Sequence, residues 1–315
     1  MRIAVTGGAG FIGKHALDWL TEQGHELIVI DDLSKGRREH LPPHVPLLQF
    51  DLSRMKADEL AFHFDKAGSE AVIHLAATHF IPDCIRNPER TFEINAQGTH
   101  TLLEAVRRSQ VSKVVFASTL DVYAAVDEIH SESDKPAPGN IYGLTKALSE
   151  QMLEYAVRAG DCPSVVALRL ANVYGPNETN SHVIPDAIER IVKGDEPSLV
   201  MGYLGSARDF VYVKDVARAF GLAATRAPAG FWALNTGTGT GVPVRAVIRK
   251  LQDLLGDERP LRENAEAFRK FDRASLTPNV DAIARVIGWR AQTPLEEGLQ
   301  ATIHDVLLKP AQQAA

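Results

Sequence analysis

Apolar runs alternate with amphipathic stretches through the first two thirds of the chain. Short, largely apolar runs at Ile3–Val5, Leu27–Ile30, Leu47–Phe50, Ala71–Leu75, Lys113–Ala117 and Ser164–Leu170 predict strands. Between them, apolar residues recur at three- and four-residue steps over Phe11–Gln23, Ala57–Lys66, Ile94–Ser109 and Tyr142–Ala159, which predicts helices. Strands apolar along their length are buried on both faces, so the alternation predicts an α/β fold with a doubly wound parallel sheet. After Tyr174-Gly-Pro176, Pro and Gly break the pattern, and helical spacing returns at Pro185–Lys193, Val213–Thr225 and Val244–Leu255. The expected organisation is a sheet domain over 1–175, with 209–240 returning to it through Phe210–Val213 and Trp232–Asn235. A smaller C-terminal α/β lobe is expected from 176–208 and 241–315.

Chemistry enters at the first predicted turn, Thr6-Gly-Gly-Ala-Gly-Phe-Ile-Gly13. Gly7 allows a tight turn, Gly10 lets a pyrophosphate approach the backbone, and Gly13 lets the helix pack close to the strand. The N-terminus of that helix offers free N–H groups and the positive end of its dipole to phosphates. The second predicted strand ends in Asp31, at about the 20-residue distance where a carboxylate accepts the adenosine ribose hydroxyls and favours NAD over NADP. Arg37 and Arg38 lie beyond the turn Asp32–Gly36. A Rossmann-type sheet binding NAD is the expectation.

Length and charge narrow the picture. The 315 residues suffice for one large α/β domain or two unequal lobes, and the net charge of −6 gives no reason to expect nucleic acid or an anionic membrane as partner. No apolar run approaches the ~18 residues of a membrane span, and the sequence opens on a strand, so neither span nor signal peptide is expected. Cys84 and Cys162 stand far apart, outside metal-ligand spacing, which points to free thiols, a cytoplasmic setting and no metal.

Tyr142-Gly-Leu-Thr-Lys146 places a phenol and an ammonium one helical turn apart on the same face. A free phenol titrates near ~10, and a neighbouring positive charge stabilises its phenolate. The pair follows Val115-Phe-Ala-Ser-Thr119, a strand ending in hydroxyls, so Ser118 or Thr119 is expected to hydrogen-bond the reacting oxygen opposite Tyr142.

With these residues in order, the chain resembles the extended short-chain dehydrogenase/reductases, within the NAD-dependent nucleotide-sugar epimerase/dehydratase family. The resemblance runs through Thr6–Gly13, Asp31–Gly36, Asp51-Leu52, His74–Ala77, Asn95, Gly98-Thr99 and Ser118–Tyr123. It continues through Tyr142–Lys146, Arg169–Pro176, Arg208–Asp215, Asn235–Gly239 and Gly288-Trp289. It implies catalytic roles for Tyr142, Lys146, Thr119 and Ser118. Cofactor contacts are implied for Gly7, Gly10, Phe11, Ile12, Gly13, Asp31, Asp32, Ser34, Gly36, Asp51, Leu52, Leu75, Ala76, Ala77, Asn95, Tyr142 and Lys146. Substrate contacts are implied for His79, Thr119, Asn172, His182, Arg208, Arg269 and Asp272, the two arginines suiting a diphosphate through their forked donors. The apolar stripe Leu144, Leu148, Met152 and Tyr155, with the Leu102–Val106 helix, implies a homodimer contact.

Four positions depart from the family pattern. His182-Val-Ile-Pro185 stands where an N-x-x-P is usual, Phe271 replaces a glycine in Arg269-Lys-Phe-Asp272, and Ala124 replaces the glycine after Val122-Tyr123. After Thr119 come Leu120-Asp121, where sugar dehydratases carry an acid–base pair and epimerases small residues. The resemblance implies 4-epimerisation of a nucleoside-diphosphate hexose, UDP-hexose favoured, as in UDP-glucose 4-epimerases. A dehydratase using Asp121, and a non-catalytic NAD-sensing protein, remain the alternatives.

Overall fold

The computed structural model describes residues 1–178, 180–264 and 275–313. From the N-terminus, β1 (Arg2–Thr6), α1 (Phe11–Glu22), β2 (Glu26–Ile30) and β3 (Leu47–Leu48) build one half of a parallel sheet. α2 (Ala57–Ala67) then carries the chain across to β4 (Ala71–His74). The short helices α3 (Ile81–Arg86) and α4 (Pro88–Phe92) and a π-helical turn at Glu93–Gln97 lead into α5 (Gly98–Arg107). β5 (Lys113–Thr119), β6 (Ile129–His130), α6 (Ile141–Ala159) and β7 (Ser164–Leu170) follow. Next come β8 (Asn172–Tyr174), α7 (Val183–Lys193), β9 (Leu199–Met201), β10 (Ala207–Arg208), β11 (Phe210–Tyr212), α8 (Val213–Arg226) and β12 (Gly230–Thr236). β13 (Val242–Pro243), α9 (Val244–Leu255), β14 (Leu261–Glu263), β15 (Ser275–Pro278), α10 (Asp281–Ile287) and α11 (Leu295–Gln313) complete the described chain.

The main sheet runs β12-β7-β5-β4-β1-β2-β3, with every pairing parallel. Alternate residues of each strand feed opposite cores. Ile3, Val5, Val115 and Leu168 pack with Leu17, Phe220 and Trp289 on one side. Ala4, Val114, Phe116 and Ala167 pack with Leu60, Leu102 and Leu153 on the other. This double burial is what the unbroken apolar runs encode. Because the chain goes first to β2 and β3 and then back across β1 to β4, the strand order reverses between β1 and β4. A crevice opens there at the C-terminal strand ends, where open α/β sheets take their ligands.

A third core, built from Tyr174, Ile184, Ile188, Val247, Ile248, Leu251 and Leu299, holds α7, α9 and α11 together beside that crevice. A second small sheet, β13-β10-β15-β6, and the pairs β11-β8 and β14-β9 complete the pairing of the described strands. No described helix is long and apolar enough to cross a membrane.

Three expected elements take another form. Phe210–Val213 does not enter the large sheet: β11 pairs with β8, and Val213 already begins α8. The strand at Leu47–Phe50 stops at Leu48 because Phe50 turns outward to the crevice mouth, 39% exposed. The helix over Ile94–Ser109 is interrupted at its start by the π-helical turn, which aims the buried Asn95 at the Thr78 loop.

Gly13 shows how tightly the first turn is packed. A Cβ there would lie 2.4 Å from the Gly7 carbonyl oxygen and 2.6 Å from that of Gly8, both backbone atoms with nowhere to go. Gly13→Ala therefore forces α1 away from β1, and chemical denaturation is expected to show a loss of about 1–3 kcal/mol, the usual range for overpacking. Unchanged stability would mean the helix accommodates the methyl group without moving.

Candidate active site

The crevice is a cavity of about 550 Å³ reaching from the Gly7–Gly13 turn to Arg208 on β10. At one end Gly7, at φ +70°, makes the turn after β1, and its backbone passes so close to Ala76 that a Cβ would come within 2.5 Å of that amide nitrogen. α1 begins at Phe11 with Gly10 as N-cap and no side chain closing its N-terminus. The Asp31 carboxylate is fixed by the backbone N–H groups of Ala9 and Leu33, each donating at 2.9 Å, and burial raises its pKa. Two hydrogen bonds leave a carboxylate with acceptor capacity, and Asp31 lines the cavity. A cradle that a methyl group would fill, an open helix N-terminus and a fixed acceptor fit a dinucleotide. Arg37 and Arg38 are exposed and are not among the lining residues.

Phe11, Ile12, Asp32, Ser34, Gly36, Asp51, Leu52, Leu75, Ala76 and Ala77 also line the cavity. Asp51 accepts from the Ser53 backbone (3.0 Å) and hydroxyl (2.7 Å) and pairs with Arg90. Burial opposes its charge, but these bonds outweigh it and hold the carboxyl below its usual range. Arg90, on α4 and 39 residues away, belongs to this corner although no sequence spacing points to it. Asn95 is a correction: it is not among the lining residues. Its amide oxygen accepts from Thr78 N (2.8 Å) and its nitrogen donates to Thr78 O (2.9 Å) and Thr145 Oγ1 (3.0 Å), bracing the loop after β4 from behind.

Midway along the cavity stand Ser118, Thr119, Tyr142 and Lys146. Asn140 caps α6 by accepting from Gly143 N at 2.8 Å, which puts Tyr142 in the first turn and Lys146 one turn on. The Tyr142 phenol is near enough to Thr119 for its side chain to favour the ionised form, but burial and the Asp121 carboxylate outweigh that and push the pKa up. Lys146, 2% exposed, donates to the Ala117 carbonyl at 2.7 Å and lies 4.6 Å from the Phe116 ring centroid. Burial lowers its pKa to about 7, against smaller raising effects of Cys84 and Glu150. In the protein alone, burial outweighs the neighbouring ammonium, so Tyr142 is held as the phenol. Ser118 is also corrected: its hydroxyl donates to the buried Glu150, which leaves Thr119 as the hydroxyl on the Tyr142 side.

At the far end Asn172, Arg208, His79 and His182 line the cavity together with Glu178, Asn180, Asp121 and Leu276. Asn180 Nδ2 donates to His79 Nε2 at 3.0 Å, and His182 Nδ1 lies 3.4 Å from Glu178 Oε2. Glu178 and Asn180 were not legible as site residues, since they sit in a Pro- and Gly-broken loop without motif spacing. Arg269 and Asp272 lie outside the described residues. Among the described residues no group of three or more His, Cys, Asp or Glu is arranged to hold a metal ion.

Two histidines make the site acid-labile. Burial lowers His74 to about 3, with Lys146 adding to the effect, while burial and the neighbouring His182 lower His79 to about 4. A histidine depressed in the folded state stabilises the fold above its ordinary pKa of about 6.5, and that stability is lost as pH falls through the folded values. The unfolding free energy is expected to fall steadily from pH 6.5 to 4 in denaturant titrations. His79→Gln is expected to flatten part of that slope, and an unaltered slope would contradict the assignment.

The family model described as NAD dependent epimerase/dehydratase family matches residues 3–233. A UDP-glucose 4-epimerase of Azospirillum brasilense is 32% identical over 97% of this chain and 91% of its own length. Among solved structures, the UDP-glucose 4-epimerase of Thermotoga maritima with UDP-glucose is 30% identical, with a TM-score of 0.91 over 98% of this chain and 100% of that one. The Thermus thermophilus UDP-glucose 4-epimerase in complex with NAD is 32% identical, with a TM-score of 0.87 over 98% of this chain and 99% of that one. With its Rossmann-type sheet, glycine turn and Tyr–Lys pair, the chain belongs to the NAD-dependent epimerase/dehydratase family.

Proposed function

We propose that this protein epimerises a nucleoside-diphosphate hexose at C4, a UDP-hexose in the first place, through a 4-keto intermediate. The observation that carries the reading is Tyr142 beside Thr119 with Lys146 one turn away, midway along one cavity between a dinucleotide-shaped end and the Arg208 end. The similar proteins named UDP-glucose 4-epimerases, one solved with UDP-glucose and one with NAD, support it. A bound NAD would supply the hydride acceptor and donor for C4 and a positive charge favouring the phenolate.

The chain's own residues do the rest. Gly7, Gly10, Gly13 and the open N-terminus of α1 cradle a pyrophosphate, and Asp31 accepts ribose hydroxyls. Thr119 and Tyr142 grip the sugar O4, Tyr142 taking its proton and giving it back, with Lys146 stabilising the phenolate. Asn172 and Arg208 bind the sugar diphosphate, joined on the strength of their motif by Arg269 and Asp272. His79 and His182 meet the hexose, and Asn95 holds the Thr78 loop in place. Leu144 and Tyr155, 53% and 66% exposed on α6, support a homodimer across that helix, whereas Leu102 and Val106 are consumed by the chain's own core. Buried free thiols at Cys84 and Cys162 support a cytoplasmic setting.

A dehydratase is the second reading, because the Asp121 carboxylate lines the cavity. Leu120 opposes it, being apolar and unable to protonate a departing 6-hydroxyl.

Tyr142→Phe keeps the ring and removes the proton carrier. Turnover of UDP-glucose to UDP-galactose is expected to fall by ~10²-fold or more, the usual worth of a positioned acid–base group, with sugar-nucleotide binding nearly unchanged. Near-normal turnover in that variant would sink the assignment.

Asp121→Asn separates the two readings. Epimerisation leaves C5 untouched, so the variant should lose little rate and product made in heavy water should carry no deuterium at C5. Deuterium at C5, with a product lighter by one water, would establish dehydration instead.

A further inference from the structure

Three residues of α6 spaced four apart engage three consecutive residues of β5. Tyr142 sits beside Thr119, Lys146 Nζ donates to the Ala117 carbonyl at 2.7 Å, and Glu150 accepts from the Ser118 hydroxyl. Four-residue spacing stacks these side chains on one helix face. The first two contacts belong to the reactive pair; the third has no role in the proposed chemistry.

Glu150 is 4% exposed and forked onto Arg169, which donates from Nε at 3.0 and 3.2 Å and from Nη2 at 2.6 Å. Arg169 Nη1 donates to the Tyr123 hydroxyl at 2.7 Å, and that hydroxyl donates to Asn235 Oδ1 at 2.7 Å. The carboxylate is thus tied through β7 to β12. A second hollow of about 630 Å³, lined by Trp232 and Arg285, lies along the other side of the ion pair. Burying such a pair is costly, and apolar residues of similar volume would pack as well.

The groups facing Lys146 are Tyr142 and Glu150 on its own helix, Cys84 from α3, His74 from β4 and His79 from the loop after it. Burial holds both histidines, the thiol and the phenol in their neutral forms. Glu150 is the carboxylate in this group. We propose that Glu150 is a positioning residue for the Tyr142–Lys146 pair: held by Arg169, it fixes Ser118 and supplies the negative charge that keeps the buried ammonium protonated. The kinetic side of this proposal rests on the epimerase reading; the titration of Lys146 does not.

Glu150→Gln keeps the shape and the acceptor for Ser118 and removes the charge. Activity needs the ammonium, so it is lost as pH rises through the Lys146 pKa. Without the neighbouring anion that alkaline limb of kcat/KM is expected about one pH unit lower. A drop in kcat of about tenfold with little change in KM is expected beside it. Glu150→Asp, which keeps the charge, should leave the limb in place. Heteronuclear NMR of the Lys146 ammonium in the NAD-bound protein should show the same downward movement, whether or not UDP-hexose is turned over. Because the single variant leaves Arg169 unpaired, the pair Glu150→Gln with Arg169→Gln removes both charges together and should move the titration the same way. A folded variant of either kind whose Lys146 titration and alkaline limb stay in place overturns the proposal, even if kcat falls.

Discussion

Lys146 carries its ammonium into the end of a parallel sheet, with water almost excluded and the Ala117 backbone carbonyl as its hydrogen-bond acceptor. Removing such a group from water is expensive, and its low pKa is the trace of that expense. Much of the surrounding architecture answers to this one burial. β5 presents its Ala117 carbonyl to the ammonium, α6 is capped by Asn140 so that position 146 faces inward, and Glu150 waits one turn further on. The same dehydration that makes Lys146 costly makes it effective, since a positive charge in a dry cavity acts strongly on a neighbouring phenol.

The burial also explains why the polar groups around the site are so fully engaged. Thr6, His74 and Thr99 are linked at 2.6 and 3.1 Å beneath the floor, and Asn95 clasps the Thr78 loop. Several motif residues act as bolts of this kind. Asp209 accepts from the Thr238 and Gly239 backbone, pinning the Asn235–Gly239 turn, and Asp215 accepts from Gln292 and Thr293 while its carbonyl receives the Trp289 indole. A buried carboxylate binding two backbone N–H groups holds loops that have no apolar face of their own.

The two ends of the cavity are built differently. The dinucleotide end is backbone: glycines, a helix N-terminus and a carboxylate fixed by amides, all within the first 36 residues. The far end is side chains on short strands and loops, brought together from positions as distant as His79 and Asn180. That contrast is physical. A phosphate cradle needs close backbone approach, which a local run of glycines provides, whereas a sugar is recognised by hydroxyl-matching groups that different loops can supply.

Local chemistry is therefore what the sequence determined alone. Apolar runs buried on both faces spelled out the parallel sheet, glycine spacing marked the turn, and the i,i+4 rule put Tyr142 and Lys146 together, since each depends on neighbours a few residues away. Tertiary structure decided what depends on distant partners. It sent Phe210–Tyr212 to β8 and not to the large sheet, moved Asn95 behind the wall, and diverted Ser118 from the substrate to Glu150. It brought Arg90 to Asp51 and Asn180 to His79. Above all it set the protonation of Tyr142 and Lys146, because desolvation is a property of everything packed around a group, and no spacing along the chain records it.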